Sequence, residues 1–399
     1  MTNLLEDKTI LLGVTGSIAA YKAVDLASKL MQAGAQVDTI LTENAAQFVT
    51  PLTFRSITHR PVITNLFDLD SEDAIEHVAL SQRADILVVA PASAHTLAKL
   101  ALGLADNALT AVALATSAPL LVVPAMDANM WEHPTVQEHI GTIQSRGGYV
   151  AGPASGRLAS GLIGRGRMVE PSEIEGHIRW ILGQNGDLKG RKIVVSAGGT
   201  QEPIDPVRVI TNHSSGKMGF AIAEAARDRG AEVVLVTAPT KLERLIGVTT
   251  NHVTTVEEMR TSVLESCTHA DVLVMAAAVS DYRTNQVADQ KIKKHESEDL
   301  VSLQMVKTPD FFSEVPSGVL RVGFAAETEN LIENAKSKID SKNLSLIAAN
   351  DVTKEGSGFG TDTNQVTLID KSGRTEELPL LSKYEVGHRL LDRIVGLLK

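Results

Sequence analysis

Short apolar runs recur along the chain, each followed by a small-residue turn and then by apolar residues at helical spacing. Thr9–Leu12 and Val37–Leu41 read as strands. Between them, Ala19, Ala23, Leu26, Ala27 and Leu30 share one helix face, and Gly34 ends that helix. Asp85–Ala90 and Pro119–Val123 are continuous apolar runs, the pattern of strands covered on both faces. A helix beginning near Ala94 separates them. The alternation predicts an open parallel α/β sheet.

Residues 183–190 (GQNGDLKG) interrupt this pattern with a polar, glycine-rich stretch that reads as a linker. The alternation then restarts with strand Lys192–Ser196, a helix over Phe220–Arg229 stopped by Gly230, and strand Glu232–Thr237. Further strands are predicted at Asp271–Met275, Arg321–Phe324 and Leu346–Ala349. Asn364–Ile369 reads as a late edge strand and Leu381–Leu398 as a closing helix. The expectation is two doubly wound, Rossmann-like α/β domains, residues 1–189 and 190–399, alike in type but without a close repeat.

Two turns carry the candidate chemistry. GVTGSIAA (13–20) follows the apolar run Ile10–Leu12, and SAGGTQEPIDPVRVITNHSSGKMG (196–219) follows Ile193–Val195. A small-residue turn between strand and helix presents free backbone N–H groups to an anion. Neither turn is a standard fingerprint. The first reads Gly13-x-x-Gly16-Ser17, and Thr42 stands where a ribose-binding acid would follow the second strand. In the second, no glycine lies five before Gly216, and Met218 replaces the Ser/Thr that would hold magnesium. The first turn alone is an anion site or simply tight-turn chemistry. Ala90-Pro91-Ala92-Ser93 and Pro124–Trp131 add two further polar strand ends, where open α/β sheets bind ligands.

Other residues stay open between a functional and a structural role. His77 lies just before a strand. The loop 152–168 holds five Gly and three Arg, and is a lid over an anionic substrate or a solvated loop. Lys291-Ile292-Lys293-Lys294 is a basic cluster or a solvated patch. Asp281 ends an apolar run, Phe324 can stack on a base, and Lys338 and Lys342 lie four apart on one helix face.

Composition narrows the classes. Formal net charge of −10 argues against nonspecific nucleic-acid or anionic-membrane binding, while leaving anionic ligands to local cations. Cys267 is the only cysteine, so the chain makes no internal disulfide and no Cys-rich metal site. No apolar run approaches the roughly 20 residues of a membrane helix, and the N-terminus lacks signal-peptide architecture. A cytoplasmic protein is expected. The doubled βαβ pattern by itself also admits a tandem nicotinamide-dependent oxidoreductase, which the missing G-x-G-x-x-G disfavours.

The motifs AGGTQEPIDPVR, TNHSSGKMG, AAAVSDY, KIKK, KTPD and GFAAET resemble the ligase half of the bifunctional phosphopantothenoylcysteine decarboxylase/phosphopantothenate–cysteine ligase family of coenzyme A biosynthesis. GSIAA, APAS, PAM-x-x-x-MW and the glycine-rich loop resemble its flavin-dependent, flavodoxin-like decarboxylase half. The resemblance implies that the C-terminal domain uses CTP and Mg²⁺ to turn 4′-phosphopantothenate into an acyl-cytidylate, which the cysteine amine then attacks. Asn212 would handle the acyl-cytidylate and Lys291 would neutralise the triphosphate. Met275, Ala276, Ala277, Asp281, Pro309, Asp310, Phe311, Phe312, Phe324, Lys338 and Lys342 would complete the CTP site.

For the N-terminal domain the resemblance implies FMN at Gly16, Ser17, Thr42, Ser93 and Thr96, with His77 as the active-site histidine. It also exposes two departures. Asp127 stands where the family's PAMN motif has asparagine, and Ser160 stands where many members have a proton-donating cysteine. Serine is the poorer acid. An active ligase with a vestigial flavoprotein domain is therefore the alternative reading. The resemblance further implies a homo-oligomer of decarboxylase trimers joined through ligase dimers.

Overall fold

The computed structural model describes residues 3–66, 76–293, 302–327, 331–351, 356, 358 and 360–398. The chain forms two compact units, Asn3–Leu182 and Gly183–Lys399. In the first, β1 (Thr9–Val14), β2 (Gln36–Leu41), β3 (Val62–Ile63), β4 (Ile86–Ala92), β5 (Leu120–Pro124) and β6 (Tyr149–Val150) form a parallel sheet in the order β3-β2-β1-β4-β5-β6. This is the doubly wound order; without the two-residue β3 it is the flavodoxin order. Alternate residues of β1 and β4 enter opposite cores: Ile10 and Leu12 pack with helix Ala20–Gln32, while Leu11, Leu87 and Val89 face the other layer. This double burial explains the continuous apolar runs.

The glycine-rich loop 152–168 is ordered as an antiparallel hairpin, β7 (Ala154–Arg157) with β8 (Ile163–Arg167). Its composition lacks the apolar alternation by which a strand is recognised, because most of its residues are not buried.

The second unit adds β9 (Lys192–Ala197), β10 (Gln201–Pro203), β11 (Val209–Thr211), β12 (Glu232–Thr237), β13 (Thr249–His252), β14 (Val272–Met275), β15 (Tyr282–Thr284) and β16 (Met305–Lys307). It continues with β17 (Leu320–Glu327), β18 (Leu346–Asp351), β19 (Thr363–Asn364), β20 (Val366–Asp370), β21 (Thr375–Glu377) and β22 (Leu381–Ser382). Eight of them form one sheet in the order β13-β12-β9-β14-β17-β18-β20-β21. The first six repeat the doubly wound order, and β20 and β21 extend it antiparallel. The late strand is thus interior, not an edge, because the hairpin partner β21 covers it. The helix predicted from Phe220 begins at Lys217, and the closing helix is Lys383–Leu397, capped by Ser382.

Residues 183–190 are no free linker. A Cβ at Gly183 or Gly186 would lie 2.6 and 2.4 Å from the carbonyl oxygens of Asp228 and Arg229. Leu188 is buried, and Asp187 pairs with Arg229 at 2.5 Å. The glycines here permit close backbone approach rather than flexibility.

Candidate functional site

In the first unit the polar strand ends converge. Thr15 is buried, and its hydroxyl donates to Pro91 O at 2.7 Å and accepts from Ser93 N at 3.0 Å. The turn after β1 is therefore bonded to the end of β4. Ser93 caps helix Ala94–Leu102 by accepting from Thr96 N, and its hydroxyl lies 3.2 Å from that of Thr96. At Gly16 a Cβ would lie 2.5 Å from Asn44 Cβ, so only glycine lets these two turns close together. Thr42 accepts from Ala45 N at 3.3 Å on the β2 side, and Ser17 accepts from Ala19 N at 3.3 Å. The backbone of His77 lies in helix Glu76–Arg83, and its side chain falls outside the described residues.

The hairpin β7–β8 bears on the strand end after β5. Met126 N donates to Gly166 O at 3.0 Å, and a Cβ at Gly166 would lie 2.3 Å from Met126 O. Arg165 lies over the Trp131 ring at 5.5 Å. Asp127 caps helix Ala128–Glu132 by accepting from Asn129 N at 3.1 Å, and its other oxygen accepts from the Ser160 hydroxyl at 2.8 Å. Asp127 and Ser160 are thus direct partners.

In the second unit a cavity of about 890 Å³ opens beyond the carboxyl ends of β14, β17 and β18. Its wall includes Asn212, Met275, Ala276, Ala277 and Asp281. It also includes the turn Pro309, Asp310, Phe311 and Phe312, together with Phe324, Lys338 and Lys342. Lys342 pairs with Asp310 at 3.1 Å and lies 5.2 Å from the centre of the Phe312 ring. Asp310 caps its turn by accepting from Phe312 N at 3.2 Å. Asn212 donates from Nδ2 to Val279 O at 3.2 Å.

Lys291 is not on that wall. It is exposed, on a segment tied to the turn after β10: Ile292 N donates to Asp205 Oδ2 at 3.2 Å, and Arg208 Nη2 donates to Ile292 O at 3.1 Å. Burial pushes the Asp205 carboxyl up, but amide hydrogen bonds from Val207, Ile292 and Arg208 outweigh it and hold the group below the usual carboxylate range. Lys294 and Thr328 lie outside the described residues.

The cavity also holds groups that spacing did not single out. Lys217 and Lys383 each begin a helix and line the same wall. Lys217 pairs with Asp362 at 2.6 Å and donates to Gly360 O, while buried Lys383 donates to Thr361 O. Burial pushes the Lys383 ammonium down, Lys217 adds to that, and Asp362 opposes it. The Ser382–Glu385 capping box was the available sequence signal for Lys383 as a first helical residue. Asn350, Asn364 and Gly360 also line the cavity and carried no such signal. Among the described residues, no three His, Cys, Asp or Glu side chains form a metal cage, and no helix is long and apolar enough to cross a membrane.

Two Rossmann-like domains in one chain, each with polar groups gathered beyond parallel strand ends, define a two-domain α/β enzyme. Residues 2–181 match the Flavoprotein family model, and residues 188–398 match the model of the DNA/pantothenate metabolism flavoprotein C-terminal domain. The chain is 42% identical over 383 residues to the coenzyme A biosynthesis bifunctional protein CoaBC of Vibrio cholerae, covering 95% of this chain and 96% of the relative. It is 43% identical over 397 residues to the protein of the same name from Haemophilus influenzae, covering 98% of each. A crystal structure of the C-terminal domain of a CoaBC protein aligns with 53% of this chain and 97% of its own, at 40% identity and a TM-score of 0.45. The chain belongs to the bifunctional coenzyme A biosynthesis family and is a bifunctional enzyme, with a flavoprotein decarboxylase domain and a ligase domain.

Proposed function

We propose that residues 190–399 condense 4′-phosphopantothenate with cysteine at the expense of CTP, and that residues 1–189 decarboxylate the product to 4′-phosphopantetheine with FMN. The observation that carries the ligase reading is the single cavity on whose wall Asn212, Asp281, Asp310, Phe312, Lys338 and Lys342 meet. In the first step the substrate carboxylate attacks the α-phosphorus of CTP and pyrophosphate leaves. In the second the cysteine amine attacks the acyl carbon, CMP leaves and an amide forms. Developing phosphate charge needs fixed cations, which Lys338 and Lys342 supply from the wall and Lys291 supplies from its neighbouring segment. Among the described residues of the wall, Asp281 and Asp310 are the carboxylates that would hold Mg²⁺. The backbone at Met275–Ala277 offers hydrogen-bonding groups to the base.

The first site fits FMN. The Gly16 turn has no room for a side chain, and Thr42, Ser93 and Thr96 put hydroxyls at adjoining strand ends, as a phosphate and a ribityl chain require. FMN supplies two-electron chemistry at the cysteinyl thiol. The chain's own part is to hold the substrate carboxylate at Asp127 and to cover it with β7–β8. A homo-oligomer of trimeric decarboxylase units joined by ligase dimers, in the cytoplasm, completes the proposal.

The test is product mass spectrometry with phosphopantothenate, cysteine, CTP and Mg²⁺. Condensation with loss of CO₂ is expected. Condensation without CO₂ release would favour the vestigial-domain alternative, to which the Asp127–Ser160 pairing gives its specific motive. No condensation would sink the reading of the cavity.

A further inference from the structure

The AGGTQEP stretch opens the long polar connection after β9, and the chemistry above leaves its Thr200 without a task. Thr200 is fully buried. Its hydroxyl accepts from Ser280 N at 2.9 Å and donates to Ser280 Oγ at 3.3 Å. The peptide joining Val279 to Ser280 is therefore held from behind through its N–H. The carbonyl of that same peptide, Val279 O, accepts from Asn212 Nδ2 at 3.2 Å. One peptide plane thus sits between the Thr200 hydroxyl and the Asn212 amide, and fixing its N–H fixes the direction of its carbonyl.

Thr200 holds Asn212 from its other side as well. Thr211, the residue before it, donates its hydroxyl to Thr200 O at 2.8 Å. Thr308 extends the same attachment toward Pro309 and Asp310: its hydroxyl donates to Ser280 O at 2.6 Å, and its N–H donates to Asp281 O at 2.9 Å. An exposed asparagine side chain ordinarily samples several rotamers; here a buried hydroxyl behind the wall selects the orientation.

We propose that Thr200 is a positioning residue for the ligation step, setting the Asn212 amide through the Val279–Ser280 peptide. The inference rests on the reading that Asn212 handles the acyl-cytidylate. Thr200→Val keeps the shape and deletes the acceptor, leaving the buried Ser280 N–H without its partner. Thr200→Ser keeps the hydroxyl.

The experiment uses the full chain with phosphopantothenate, CTP, Mg²⁺ and cysteine, reading pyrophosphate and ligated product separately. Thr200→Val is expected to release pyrophosphate within about threefold of the parent while ligated product falls about tenfold or more, the scale of a small misplacement near the reacting atoms. Acyl-cytidylate should accumulate, and amide hydrogen exchange at Ser280 should quicken. Thr200→Ser should restore both readouts. Thr284→Val, which removes a hydroxyl bond to Pro203 O on the same arm, should leave both at parent values.

Coupled, parent-like turnover in Thr200→Val would overturn the inference. So would equal loss of pyrophosphate and ligated product, or failure of Thr200→Ser to rescue. If Thr200→Val does not fold, Thr211→Val, lacking only its hydroxyl bonds, should uncouple to a smaller degree, and a coupled Thr211→Val overturns the inference instead. Asn212→Asp separates the two claims. If it is itself fully coupled, the reading of Asn212 fails and takes the inference with it. If it is uncoupled beside a coupled Thr200→Val, the inference alone fails.

Discussion

The two sites share one fold logic and differ in what holds them. In the second unit the cavity wall is bonded from behind by buried hydroxyls, and Lys342, Lys217 and Lys383 are seated by carboxylates and carbonyls. In the first unit the strand-end turns are knitted by Thr15, but the residues that meet the substrate carboxylate in our proposal sit on a short helix cap and an exposed hairpin. A site held by buried polar bonds tolerates little substitution, because each lost partner leaves a buried group unsatisfied. A site held by caps and an exposed hairpin can exchange residues when the exchanges match. Asp127 and Ser160, which bond to each other, are a matched pair of this kind in our proposal.

The largest expected effect strikes the ligase alone. Lys291→Gln should lower pyrophosphate release by roughly 10²–10³-fold, the scale of losing one fixed charge-stabilising group, while CO₂ release from supplied phosphopantothenoylcysteine stays at the parent rate. Because Lys291 stands off the cavity wall, this is also the sharpest test of its role. Parent-like pyrophosphate release would remove Lys291 from the site and leave neutralisation to Lys338 and Lys342.

The next effect strikes the other half. In our proposal Asp127 meets the substrate carboxylate and serves as the acid that completes the reaction. Asp127→Asn should bind substrate yet slow completion by roughly 10²-fold, the lower end of general acid contributions, with an oxidised enethiol accumulating. Ser160→Ala should keep most turnover. Single-turnover flavin absorbance with product mass distinguishes them, and the opposite pattern assigns the acid to Ser160.

A smaller effect tests the hairpin. Gly166→Ala puts a methyl against Met126 O, so β8 must shift from the strand end. Decarboxylation should fall about tenfold, on the scale of sub-ångström misplacement, with ligation unchanged. Equal loss of both activities would contradict the separate support of the two sites.

Much of this was legible in the sequence for a physical reason. Parallel strands such as Ile86–Ala92 are buried on both faces, so they read as unbroken apolar runs. The ends of those runs are equally visible, so Ser93, the stretch Pro124–Trp131 and Asp281 could be set at strand ends from position alone. The arms β10–β11 and β15–β16 were not legible, because short strands with exposed residues carry no alternation. Lys383 was missed because it comes to the cavity from the start of the closing helix, not from the carboxyl end of a parallel strand. The glycines of 183–190 suggested freedom, whereas their missing side chains admit the backbone of Asp228 and Arg229.

The smallest expected effect concerns stability of the second unit. His388 is buried on the closing helix against Tyr384, and neither ring nitrogen has a hydrogen-bond partner. Burial pushes its pKa down to about 4; Arg229 adds to the shift, while Asp228 and Asp392 oppose it. The folded protein holds this ring neutral, whereas the unfolded chain takes up a proton near pH 6.5. Its contribution is therefore complete above about pH 6.5 and declines as pH falls toward 4, where the folded ring also protonates. One unit into that window, at about pH 5.5, the loss is about 1 kcal/mol. His388→Phe should flatten that limb of the second unit's stability curve, read by urea unfolding between about pH 5 and 7, even if packing lowers stability throughout. The Arg229 guanidinium beside Asp187 holds that carboxyl below the usual carboxylate range, so it does not supply a slope near pH 6. An unchanged slope in His388→Phe would assign the acid sensitivity to another group.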